Sequence, residues 1–434
     1  MTAPNRLVKA EYSEDTTANY LTSSIAKNKI ETIKFEQGRE PEYTEDIIER
    51  FDASEKQDES IIGYYTDLDN NGLYELTFVS QEIIYANRYS QGLFADLINV
   101  TQIQMYNFST NGVYNMSFMF MGCESLTELN LNNYDTKDVT DIANMFANCL
   151  KLLELDLENF DTSKVKIMTG VFKNCKELIS LNIKNFDTAN VISMTNMFYE
   201  CRNLKEVDLS KFDTQKVTTM NAMFYQCNNL EKLDVKSFNT SNVKSMSHMF
   251  FNSSKLSQID VSGFDTGNVT GMRYMFYGCS SLEELDVSNF NTKNVENMQG
   301  MFGGMTKLKE LDLNNFETDN VTIMSFLFKG NKNLKILDIS KFNTKQVINM
   351  RQMFAECSNL ETIYVSDFDS ENETGWTTVA VTDSWWMFGE SRKIKGGNGT
   401  TYNSSYLDVT YARIDTEETP GYFTNIKDKI TEIE

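Results

Sequence analysis

The sequence predicts an α/β repeat, a right-handed solenoid of about eleven 26-residue rows with a cap at each end. Three observations carry this. Phe120, Phe146, Phe172, Phe198, Phe224, Phe250, Phe276, Phe302, Phe328 and Phe354 stand 26 residues apart without a slip. A threonine column from Thr110, Thr136 and Thr162 to Thr344, and a valine column from Val113 and Val139 to Val347, keep the same phase. The composition follows: 29 Phe and 22 Met, against 3 Pro and 1 His in 434 residues, as when the core residues of one row are multiplied by the row count.

One row reads M-F-x-x-C-x-x-L-x-x-L-D-L-x-x-F-[DN]-T-x-x-V-x-x-M-x-x. L-x-x-L-D-L has the spacing of a leucine-rich repeat strand, with its leucines inward and its aspartate outward. M-x-x-M-F-x-x-C places apolar residues at i, i+3, i+4 and i+7, which predicts a short helix of about two turns. [DN]-T is turn chemistry. A single row cannot bury its own face, so rows must stack, about 4.8 Å apart.

The array divides the chain into residues 1–92, an N-terminal cap; 93–368, the solenoid; and 369–434, a C-terminal capping segment and tail. Leu93-Phe94, Val100, Ile103, Met105 and Phe108 form a degenerate first row. In the cap, Ile30–Phe35 and Gly72–Val79 read as strands. Asp67–Gly72 has the opening of an EF-hand loop, but Phe78 stands at the twelfth position, where calcium needs a bidentate Glu. Asn71-Gly72 reads instead as a hairpin turn. An insertion of 8 residues follows Phe368, and Met387-Phe388 opens a last, broken row. Trp376, Trp385, Trp386 and the turn-rich Gly396–Thr400 are expected to close that end.

Forty Lys+Arg against 62 Asp+Glu give a net charge of −22, which argues against a nucleic-acid partner. No apolar run reaches the roughly 18 residues of a transmembrane segment. The first twenty residues lack the apolar core of a signal peptide. One histidine removes most acid–base, triad and His-metal chemistry. No enzyme, cofactor or metal site is expected.

The repeated unit resembles that of the BspA-like leucine-rich repeat proteins, in the 26-residue form typical of mycoplasma-type surface lipoproteins and cell-wall proteins of low-GC bacteria. The resemblance covers residues 93–368 and continues into Tyr411–Asp415 and Pro420–Phe423. It implies a non-enzymatic protein on the cell surface or secreted, an adhesin or host-interaction protein with a protein or glycan ligand. The chain shows no leader, lipobox cysteine or wall-sorting motif of that family. A structural spacer or coat protein without a specific ligand is the alternative.

Three columns are candidates for more than packing. The seven cysteines, Cys123, Cys149, Cys175, Cys201, Cys227, Cys279 and Cys357, share one position. No row holds a pair of them, so buried free thiols are expected rather than a metal cluster or a disulfide framework. Asp208, Asp234, Asp260, Asp286, Asp312 and Asp338 form an acidic ladder on the concave face. Neighbours there repel by roughly 0.9 kcal/mol in water, so a cation, a basic partner or hydrogen bonds from nearby Ser and Thr would offset them. The residue after each M-F is aromatic in four consecutive rows, Tyr199, Tyr225, Phe251 and Tyr277. These rings are a candidate binding patch or a cover over the next row. His248 reads as a tolerated variable position.

Overall fold

A computed structural model describes residues 5–42 and 44–429. The chain divides into two compact units, Met1–Asp213 and Thr214–Glu434. The ends of both expected caps, residues 1–4 and 430–434, lie outside the described residues.

The first unit opens with β1 (Ile30–Gln37), β2 (Ile47–Asp52), β3 (Ile62–Thr66), β4 (Tyr74–Ser80) and β5 (Ile84–Tyr85). Ile30, Ile33 and Phe35 of β1 are fully buried. β3 and β4 form an antiparallel hairpin. In its loop the Asp67 carboxylate accepts the N–H groups of Asn71 and Gly72 at 3.1 and 3.2 Å, and Gly72 takes φ +79°, as the turn requires. β1 pairs in parallel with β4 on one side and with β6 (Gln102–Gln104), from the first row, on the other. The cap therefore extends the sheet of the first row and covers its open edge.

From there each row repeats its predecessor. β7 (Phe108–Ser109) pairs with β5, and β8 (Glu154–Asp156) pairs with β9 (Ser180–Asn182). A second line of parallel bridges runs Tyr89–Asn115–Asp141–Ile167–Ser193, one residue per row. The phenylalanine column is a continuous stack, with ring centroids 5.6 Å apart for Phe120–Phe146 and 5.9 Å for Phe146–Phe172, both pairs tilted by only 2°.

The expected helix at M-x-x-M-F-x-x-C does not form, and the α/β assignment is corrected to a repeat of short strands and turns. The described helical residues are 3-10 turns at Lys27–Lys29 and Val409–Tyr411 and one α-helical turn near the C-terminus. The reason is two left-handed residues per row. Phe118 and Gly122 have φ +59° and +74°, and Asn144 and Asn148 have +52° and +61°. A right-handed helix admits neither. Each is the third residue of a turn closed by an i→i−3 bond, Met119 N–H to Met116 O at 3.3 Å and Cys123 N–H to Phe120 O at 3.2 Å. The intervening N–H groups of Phe118, Phe120 and Gly122 donate to Ala143, Met145 and Ala147 of the next row, each at 2.8 Å. Spacing of i, i+3, i+4 and i+7 suits a chain of such turns as well as a helix. Identical neighbours then supply the partners that a helix would find within itself.

The second unit repeats this design. β10 (Lys232–Leu233) pairs with β11 (Gln258–Ile259), and β12 (Ile336–Asp338) with β13 (Thr362–Val365). Its bridge line runs Thr219–Ser245–Gly271–Asn297–Ile323–Asn349–Asp383. The last step is longer because the insertion is looped out, with an antiparallel bridge between Asp369 and Thr374 at its neck. Thr344 Oγ1 then reaches Thr377 O at 2.6 Å. The C-terminal segment adds β14 (Thr424–Asn425) in parallel to β13 and ends in α1 (Ile426–Lys429). Trp376 donates Nε1–H to Ala412 O at 2.8 Å and packs edge-on against Phe423. Buried Asp415 accepts the N–H groups of Asn398, Thr400 and Gly421. Trp376 thus closes this end, whereas Trp385 is 54% exposed.

Candidate functional site

In the second unit the aromatic column is a real stack. Tyr225 and Phe251 lie 4.7 Å apart at 5°, and Phe251 and Tyr277 lie 5.3 Å apart at 11°. All three rings are partly exposed. Tyr199 belongs to the first unit, where Lys173 Nζ sits 5.7 Å above its ring.

Two further residues join the stack that sequence reasoning missed. His248 and Tyr274 occupy the left-handed position three residues before Phe251 and Tyr277. Their rings lie 5.3 Å apart. Tyr274 meets Phe251 and Tyr277 edge-on at 5.9 and 5.4 Å. In the next row both positions are glycine. A Cβ on Gly300 would come within 2.4 Å of the Tyr274 ring, and one on Gly303 within 2.7 Å of the Tyr277 ring. The rings therefore cover the two positions of that row that carry no side chain. The signal was in the sequence: aromatic residues at both positions of one row and glycine at both positions of the next. His248 is held below its usual pKa by burial among these rings and by Arg273.

The aspartate column closes turns. Asp208 accepts the N–H of Ser210 at 3.0 Å in the first unit. In the second unit Asp234, Asp260, Asp286, Asp312 and Asp338 each accept the N–H two residues on, at 2.9–3.1 Å. Such an Asx turn stops a strand. Ser262 Oγ also donates to Asp260 at 2.6 Å, and Lys429 pairs with Asp338 at 2.8 Å. Hydrogen bonds from Ser262 and Ser288 hold Asp260 and Asp286 below the usual carboxylate range. Among the described residues no three His, Cys, Asp or Glu gather to hold a metal ion.

The seven cysteines are buried and free. Each one detailed by its contacts points its thiol at the carbonyl of a phenylalanine 29 residues earlier, as in Cys149 Sγ to Phe120 O at 3.2 Å. Burial pushes the Cys123, Cys175, Cys279 and Cys357 thiols up to about 12. Where the cysteine is replaced, Ser253 makes the same bond to Phe224 O at 2.8 Å. Except where Met305 and Asn331 stand, the column is a small buried donor repeated by row.

No helix among the described residues is long and apolar enough to cross a membrane. No curated protein matches the chain. Among solved structures the chain is similar to one in the crystal structure of the TLR13-ssRNA13 complex, at 13% identity and a TM-score of 0.17, over 74% of this chain and 62% of that one. The chain thus spans less than two thirds of that neighbour's length. Residues 90–208, 201–310 and 304–411 each match the family described as "Mycoplasma protein of unknown function, DUF285", three tandem matches that take in the whole array of rows, and the chain belongs to that family.

Proposed function

We propose that this chain is a non-enzymatic binding protein, displayed on the cell surface or secreted, that acts as an adhesin or host-interaction protein. On this reading the stacked rows are a right-handed leucine-rich solenoid of the BspA-like type, and the ligand is a protein or glycan. The observation that carries the proposal is the partly exposed stack Tyr225–Phe251–Tyr277, backed by His248 and Tyr274. Aromatic rings concentrate at interfaces because they offer large apolar area with few rotatable bonds. The single histidine adds its own flat ring to this face, 5.8 Å from Phe251 and 5.3 Å from Tyr274.

The alternative, a spacer without a ligand, draws on the seating of Tyr274 and Tyr277 over Gly300 and Gly303. There the rings act as row-to-row packing. Changing Tyr225 and Tyr277 together to Ala separates the two. For a binder, attachment of the purified chain to host cells or matrix proteins falls at least tenfold while the melting temperature stays within a few degrees. A variant that melts much lower and still attaches normally makes the patch packing.

A further inference from the structure

The first unit contains a groove of about 710 Å³, within the usual size of a small-ligand site. Its floor is built by the repeat. Outward positions of three successive rows place Gln102, Glu128 and Glu154 in one column and Gln104, Asn130 and Asp156 in the next. At its edge stands Tyr106, 80% exposed, the most exposed aromatic side chain described.

The hydrogen bonds show what these groups have to spare. Gln104 Nε2 donates to Gln102 Oε1 at 2.9 Å, and Asn130 Oδ1 accepts the Asn132 N–H at 3.0 Å. Asp156 Oδ1 takes the N–H of Glu158 and the amide of Asn182. Each amide thus keeps a free donor or acceptor. The Glu128 and Glu154 carboxylates, one above the other in adjacent rows, have no hydrogen-bond or ion-pair partner among the described residues. No lysine or arginine lines the groove.

We infer that this groove is a carbohydrate subsite for neutral or N-acetylated pyranosides. The inference rests on reading the chain as a binding protein and names the ligand class. Phosphate, sulfate and carboxylate ligands meet the like charge of Glu128, Glu154 and Asp156 here, with no cation in the lining to offset it. A lysine- or arginine-rich peptide would satisfy the carboxylates but could meet the amide donors of Gln102 and Asn130 only through its main-chain carbonyls, since neither side chain has an acceptor. Sugar hydroxyls donate and accept, so they suit a mixed lining of amides and carboxylates. Two stacked carboxylates are placed to take the donors of vicinal hydroxyls. The Tyr106 ring offers an apolar face to the C–H side of a pyranose.

The test uses the full chain on an array of neutral, N-acetylated, sialylated and sulfated glycans, with an oligolysine peptide as a separate probe. Binding is expected to at least one neutral or N-acetylated glycan. Tyr106→Ala should weaken it tenfold or more, Tyr106→Phe should keep it, and Glu128→Gln with Glu154→Gln should weaken it. Equal melting temperatures separate these effects from misfolding. The inference is overturned if no uncharged glycan binds, if acidic glycans bind better, or if binding survives Tyr106→Ala. Oligolysine binding that depends on Tyr106 overturns the ligand class and leaves the binding-protein reading standing. Attachment to host cells with a silent array does the same. Failure of both attachment and array sinks both.

Discussion

Thr162 and Asp187 share two hydrogen bonds through one atom: Thr162 Oγ1 donates to Asp187 O at 2.9 Å and accepts the Asp187 N–H at 2.8 Å. Thr110 and Thr136 do the same to Asp135 and Asp161 in the same unit, and Thr266, Thr292 and Thr318 to Asn291, Glu317 and Asn343 in the other. The threonine column is a buried polar ladder that satisfies the main chain at the corner of each row. Thr162→Val keeps the shape and orphans both groups. It should cost about 2–4 kcal/mol, whereas Thr162→Ser should cost about 1 kcal/mol or less. Denaturant melts of the two variants check this, and a valine tolerated as well as serine would remove the ladder's role.

Tyr134 stands where the other rows have phenylalanine, and its buried hydroxyl has no hydrogen-bond partner among the described residues. Its ring already packs with Phe120 and Phe160. Tyr134→Phe should raise stability by about 1 kcal/mol or more. A loss of stability would mean that the hydroxyl has a partner.

For the acidic column the expected outcome is structural. Asp260→Asn keeps an acceptor for the Ser262 N–H but gives up the charge, and should lower the melting temperature slightly, while Asp260→Ala should lower it further. Calcium should add no more stability than sodium at equal ionic strength. A calcium-dependent rise that Asp260→Asn and Asp286→Asn abolish would reinstate a cation site.

The pH limits follow from opposite shifts. Asp260 and Asp286 lie below their unfolded values, so their stabilisation is present above about pH 4 and is lost as the pH falls through the folded values. The buried thiols lie above theirs. Their contribution is intact below about pH 8.5 and is lost as the pH rises. Melting temperature should therefore decline on both sides of neutrality. At pH 8 a thiol reagent should label the native protein slowly and all seven cysteines after unfolding, and rapid native labelling would contradict the burial.

The rows were legible because phase is a property of sequence alone. Phe120 to Phe354 locate the core, and Asn71-Gly72 the hairpin, without any coordinates. The helix was misread for a physical reason. Period alone does not distinguish turns from helix, and the deciding evidence is backbone handedness at Phe118 and Asn144, where asparagine and glycine in neighbouring rows were the available hint. At the aromatic patch the column was visible, but its second layer was not. His248 and Tyr274 look like random variation until the turn brings them beside Phe251. The groove beneath Tyr106 was hidden because its residues are separately unremarkable and become a surface only when three rows align.

The inter-row bonds of the turns run forward, from Phe118 N–H to Ala143 O and from Asn144 N–H to Thr169 O, while those beside the valine column run backward, from Thr140 N–H to Tyr114 O and from Lys166 N–H to Thr140 O. The peptide dipoles of the two lines oppose each other, so they offset in part as rows are added. Donor and acceptor also recur at a fixed interval, so excising or duplicating one whole row rejoins equivalent partners. Any other length change misaligns both lines at once unless a loop absorbs it, as at Asp369–Thr374. In such a protein, length is free to vary by recombination between copies, and selection on reach can proceed without redesigning the core.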